Sequence, residues 1–189
     1  MNGERSVLEG LLGRYRPQGE REVADVARVR AVLAGGGDPW SRETALHVTG
    51  SALVVHPPTG RVLLRWHQRQ QAWLQVGGHG DPGETDPLAV ALREGREETG
   101  LTDLLPWPDA ELVQVVIVPV PANEREPAHE HADLRFVLAT DAPETARPEN
   151  PAAALRWLTL AEAGELATEQ NMRELLARAG GLFAAWRAG

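Results

Sequence analysis

The chain contains no cysteine and no lysine. The missing cysteine excludes disulfides, thiolate metal sites and cysteine nucleophiles. All 19 basic residues are arginine, which we attribute to the coding bias of a GC-rich genome rather than to chemistry. Positive charge is in deficit, with a formal net charge of −8. That argues against a general nucleic-acid surface, although a phosphate compound remains a suitable ligand if a metal ion lies between. No apolar run approaches membrane-spanning length, and the opening MNGERSVLEG lacks the apolar stretch of a signal peptide. The expectation is a soluble cytoplasmic protein with no membrane partner. What is present is ordinary for a globular protein: 189 residues, 42% hydrophobic and 24% charged. That is enough for one domain with a core of its own plus a modest extension.

The first forty or so residues read as helical. Ser6 and Glu9 have the spacing of a capping box, followed by Leu8, Leu11 and Leu12 on one face. A second helix is predicted over 20–33, with Val23, Val26, Val29 and Leu33 spaced for burial. From His47 the period becomes that of strands. HVTGSALVVH and RVLLRWH flank PPTG as a hairpin. Further strands are predicted over 111–120, 132–140 and 154–160. Helices follow Thr159, which pairs with Glu162 as a capping box, and cover about 169–186. Segment 121–131 reads as a polar loop. The expected division is a helical N-terminal extension over 1–44 and an α/β domain over 45–189, with a mixed sheet between helical layers.

The stretch GGHGDPGETDPLAVALREGREETGL, 77–101, carries the chemistry. Asp86-Pro87 starts a helix and Gly100 stops it. Leu88, Ala91, Leu92, Gly95 and Thr99 share a small apolar face, while Glu94, Glu97 and Glu98 project together from another. Three clustered carboxylates repel one another unless they gain protons or counter-ions. Hard oxygen donors of this kind suit magnesium or manganese. On the helix alone, a solvated acidic face is the ordinary reading. The glycines at 77, 78, 80 and 83 change that, because they let a ligand approach the backbone next to the acids. Arg93 and Arg96 border the cluster and suit forked bonding to a carboxylate.

These residues resemble the Nudix hydrolase signature: Gly, five residues, Glu, seven residues, then Arg-Glu-U-x-Glu-Glu-x-Gly-U, where U is aliphatic. Gly78, Glu84, Arg93, Glu94, Glu97, Glu98, Gly100 and Leu101 match it. Eight residues rather than seven separate Glu84 from Arg93, and the extra one falls in the loop before the helix. Gly95 replaces an aliphatic residue; it costs helix stability and suits a close packing contact. The resemblance covers about 45–168 and implies an α/β/α sandwich. It also implies an enzyme that hydrolyses a nucleoside diphosphate derivative with Mg²⁺ or Mn²⁺. By resemblance, Glu94, Glu97, Glu98 and the Gly77 carbonyl hold metal. Glu94 activates water or leaves that task to a later acid, Arg93 orients a glutamate, and Gly78, Glu84 and Gly100 are structural. A non-catalytic nucleotide sensor on the same fold is the alternative. The N-terminal helices suit either a cap over the substrate pocket or a homodimer contact.

A second constellation lies in PAHEHADLRF. His129, His131, Asp133 and Arg135 alternate onto one face, which suits phosphate or metal but equally a polar edge strand. His79, His129, Glu130, His131 and Arg135 form the candidate substrate-binding set, and Glu124, Glu126 and Glu130 are candidate later-loop bases. His47 reads as structural. Trp66 and Trp73 suit stacking on a base or packing.

Overall fold

The computed structural model describes residues 2–122 and 126–189, with side chains from Val7 onward. The helices are α1 (Asn2–Arg14), α2 (Gly19–Ala34), α3 (Pro87–Thr99), α4 (Leu160–Leu166) and α5 (Gln170–Ala188). The strands are β1 (Leu46–His56), β2 (Arg61–His67), β3 (Ala72–Leu74), β4 (Val76–His79), β5 (Leu105–Pro106), β6 (Gln114–Val120), β7 (His129–Ala139) and β8 (Leu155–Thr159). All eight strands join one sheet whose central path runs β3-β2-β1-β7-β5. β1 and β7 pair in parallel from Leu46↔Glu130 to Val55↔Ala139; every other pairing is antiparallel.

Side-chain alternation divides the sheet into two buried faces. Val48, Ala52, Val54, Leu134, Phe136 and Leu138 pack with Ala91 of α3 and with Leu8, Leu11, Leu12, Val26, Val29 and Leu33 of the first two helices. Leu53, Val55 and Val137 pack instead with α4 and α5 through Ala163, Met172, Leu175, Leu176, Ala179 and Phe183. The result is the expected α/β/α sandwich with a mixed sheet. No helix among the described residues is long and apolar enough to cross a membrane.

Several boundaries differ from the sequence reading. α1 begins at Asn2, so Ser6 lies inside the helix rather than capping it. β7 starts at His129, taking three residues from the expected loop, because both its neighbours extend that far: Val120 pairs with His129 and Leu46 with Glu130. In α2 it is Val23 that is exposed, at 52%, and Glu22 that is buried. The reason lies in the sheet. Among the described residues β6 pairs only with β7, and an open strand edge carries unpaired amides. Glu22 accepts the Val115 N–H and Asp25 accepts the Ile117 N–H, so α2 covers that edge. Glu22 also accepts from Arg178 of α5 and from the Tyr15 hydroxyl.

Gly95 is explained by packing. A Cβ there would stand 3.0 Å from Leu104 Cδ1 and 3.5 Å from Leu138 Cδ1, so a branched side chain would press on both leucines. Gly95→Ile is expected to destabilise the fold by about 1–3 kcal/mol through overpacking. Urea melts check this; an equal or higher midpoint would contradict the packing account.

Candidate active site

α3 forms where the sequence places it. Asp86 accepts the Leu88 N–H as N-cap, Pro87 opens the first turn, and Gly100 closes the helix at φ 68°. The buried face includes Val90 along with Ala91, Gly95 and Thr99, while Leu88 and Leu92 are half-buried. β4 runs beneath the helix. Gly77 and Gly78 pair with Ser51 and Gly50 of β1. A Cβ on Gly78 would lie 2.6 Å from Glu94 Oε1, so any larger residue would displace that carboxylate. Gly77, at φ 147°, leaves no room at all: a Cβ would meet that of Ser51 at 2.2 Å.

One guanidinium organises the acids. Arg93 donates to Glu84 through Nε and Nη2 at 2.9–3.0 Å, to Glu94 at 3.0 Å and to Glu97 at 2.9 Å. Its Nη2 also donates to the His79 carbonyl. The loop therefore absorbs the extra residue without losing the Glu84–Arg93 pair. Burial pulls Glu98 and Glu94 away from ionisation. The Glu98 carboxyl is pushed up to about 7, against the pull of Arg65 at 3.2 Å and the Gly77 N–H at 3.1 Å. Glu94 is raised by burial despite Arg93. Glu84 is lowered, chiefly by its hydrogen bonds from Arg93. The cluster thus holds more carboxylate than its arginines balance. Arg96 lies outside it, with Nη2 3.5 Å from the Leu104 carbonyl.

The second constellation splits by face. Asp133 accepts from Thr49, Ser51 and Arg135, and Arg135 in turn donates to Gln114 and Asn171, so both are locked in a buried network. Glu130 turns to the opposite face and forms a two-pronged pair with Arg28 of α2. His131 meets both His79 and His129, and His47 joins the group at His79. Burial pushes His79 down to about 3 and His131 down to about 4, with neighbouring imidazoles adding to the shift; burial lowers His47 as well. His47, read from the sequence as structural, reaches this cluster through the non-local β1–β7 register, which pairs it with His131. Glu126 is exposed and 3.7 Å from Arg69, and Glu124 lies outside the described residues. Trp66 and Trp73 meet edge to face at 5.5 Å, with Arg156 over the Trp73 ring. A cavity of about 990 Å³ lies elsewhere, lined by Tyr15, Arg16, Glu111 and Arg178 among others.

The family model for the NUDIX domain matches residues 46–179. The chain belongs to the Nudix family. Its two N-terminal helices lie outside the matched span. A Nudix chain of similar sequence is the probable DHNTP pyrophosphohydrolase of Lactococcus lactis subsp. cremoris, 32% identical over 108 residues. That match takes in 56% of this chain and 61% of the relative, less than two thirds of its length. Among solved structures, a Caenorhabditis elegans Ap4A hydrolase superposes with a TM-score of 0.56 at 21% identity, covering 75% of this chain and 98% of that one. The Escherichia coli dihydroneopterin triphosphate pyrophosphohydrolase does so with 0.51 at 20% identity, covering 69% and 92%. At these identities the structural likeness concerns the fold.

Proposed function

We propose that this Nudix protein is a metal-dependent pyrophosphohydrolase that cleaves the pyrophosphate linkage of a nucleoside diphosphate derivative or a related polyphosphate. One observation carries the reading. Glu84, Glu94 and Glu97 share the single guanidinium of Arg93, while burial holds the Glu98 carboxyl up at about 7 beside them. A polyanionic substrate reaches such a site only if dications lie between. The donor set fits Mg²⁺ or Mn²⁺, which take carboxylate oxygens, and Glu98 among them accepts the Gly77 N–H.

When bound, such ions supply Lewis-acid stabilisation of phosphate oxygens and of the leaving group. The chain's own residues do the rest. Arg93 fixes the rotamers of Glu94 and Glu97 and braces the loop through the His79 carbonyl, which makes it a positioning residue. Glu94, half-buried above the Gly78 backbone, is assigned to activate water, because burial raises its affinity for a proton. Glu98, joined to the Gly77 amide, ties the metal-binding helix to β4.

The relatives act on Ap4A or dihydroneopterin triphosphate by their names, and both carry a polyphosphate chain. Phosphate or pyrophosphate release should therefore be assayed over dinucleoside polyphosphates, dihydroneopterin triphosphate, ADP-ribose and nucleotide sugars. Turnover of at least one with Mg²⁺ or Mn²⁺, abolished by chelator, is expected. Tight binding of a nucleotide without turnover would instead favour the sensing module.

A further inference from the structure

Among the described residues, a group of histidines outside the acidic cluster could hold a metal ion. His47, His79 and His131 come from β1, β4 and β7, and their ligand nitrogens lie within 4.8 Å of one another. His79 Nε2 is 3.0 Å from His47 Nε2 and 3.1 Å from His131 Nε2. His131 Nε2 is also 3.2 Å from His129 Nε2. Hydrogen bonds do not account for this arrangement. An imidazole nitrogen carries either one proton or one in-plane lone pair, enough for one good hydrogen bond. The Nε2 atoms of His79 and His131 each face two nitrogens at that range.

Proton placement sharpens the conflict. His47 Nδ1 lies 3.0 Å from the Thr44 carbonyl, and His129 Nδ1 lies 2.9 Å from the Pro127 carbonyl. A carbonyl only accepts, so both Nδ1 atoms carry the proton. In neutral rings, both Nε2 atoms then present lone pairs to the cluster.

The geometry points to a second metal site, for a zinc-class transition dication, held by the Nε2 atoms of His47, His79 and His131. Ligands at zinc–nitrogen distance in a tetrahedron stand about 3.3 Å apart, and the 3.0 and 3.1 Å separations are within a few tenths of that. The donor chemistry differs from that of the acidic site: imidazole suits zinc, copper, nickel or ferrous iron, whereas magnesium keeps oxygen ligands. The Thr44 carbonyl behind His47 is the kind of outer partner that orients a metal-bound ring. Three protein ligands leave a fourth position open.

The site also touches the family's glycine loop. His79 pairs with Thr49 one step along β4 from the Gly78–Gly50 pair that faces α3, so its ring points to the other side of the sheet. Its carbonyl is held by Arg93 at 2.9 Å. An ion on the His79 ring therefore fastens the end of β4, beneath the acidic helix, to β1 and β7.

Co²⁺ titration of the chelator-treated full chain tests this, because tetrahedral Co²⁺ absorbs in the visible. One equivalent is expected to bind with visible bands that Zn²⁺ abolishes and excess Mg²⁺ leaves. His79→Gln and His131→Gln should each weaken Co²⁺ binding on the order of 100-fold or more. The Glu97→Gln/Glu98→Gln double variant should keep the bands, and Zn²⁺ should raise its melting temperature. The last arm needs no histidine substitution, so a folding defect cannot imitate it. Absence of Co²⁺ bands in the unsubstituted protein overturns the site. So does loss of the bands in the glutamate variant, or a melting temperature there that ignores Zn²⁺.

Discussion

Glu98→Gln is expected to lower dication-dependent hydrolysis by about 10²–10³-fold, the loss that follows removal of one charge-stabilising group from a reaction centre, with no fall in melting temperature. The two halves of this result have one cause. Burial pushes the Glu98 carboxyl up to about 7, so folding without metal disfavours its ionised form. A neutral amide removes that cost at alkaline pH, and its oxygen still accepts the Gly77 N–H. Arg65, which loses a partner at 3.2 Å, keeps Glu149 at 3.5 Å. Glu97 is more exposed and bound through Arg93, so Glu97→Gln should also leave the fold intact while lowering turnover. Steady-state assays alongside thermal melts check both variants. Undiminished turnover in the pair rejects the assignment of these acids, and a large drop in melting temperature shows that Glu98 is structural instead.

Glu22→Ala has the largest expected effect on stability, about 3–5 kcal/mol, the range for removing one partner of a buried ion pair. The substitution strands the Arg178 guanidinium and takes the acceptor from the Gln18 and Val115 amides. Set against the whole stability of a domain, on the order of 10 kcal/mol, that is enough to make the fold marginal. Burial raises the Glu22 carboxyl, but hydrogen bonds from Arg178, Tyr15, Gln18 and Val115 outweigh it and hold the group below the usual carboxylate range. A lowered folded value means that the stabilisation is present above the unfolded value and is lost as pH falls through the folded one. The difference between wild type and variant should therefore be full near about pH 7 and shrink near about pH 3. Denaturant melts at the two values read it directly, and an equal gap at both would contradict the linkage. We propose on the same grounds that residues 1–44 fold as a layer of the domain, since α2 closes the β6 edge and joins α5 through this carboxylate.

The site helix was legible because its signals are local. Asp86-Pro87, Gly100 and the Glu94, Glu97, Glu98 spacing all act within one helix, and the capping box at Thr159 and Glu162 is equally short in range. The hairpin of β1 and β2 could be read for the same reason. What escaped depends on partners distant in sequence. Glu22 reads as the exposed neighbour of an apolar Val23 until the edge of β6 and Arg178 are brought to it. His47 and His131, 84 residues apart in the sequence, become neighbours only through the parallel register of β1 and β7. Glu130 follows the period-two pattern onto the face opposite the histidines, yet only the tertiary position of Arg28 shows that it is already paired. The Glu84–Arg93 bond survives one additional loop residue because that residue precedes the helix and leaves the helical spacing untouched.

Isothermal titration of the chelator-treated protein with Mg²⁺, an ion that favours oxygen over imidazole ligands, examines the central claim most directly. Saturable uptake by the wild type that is lost or strongly weakened in Glu98→Gln is the predicted result. No uptake by the wild type, or equal uptake by both proteins, would contradict it.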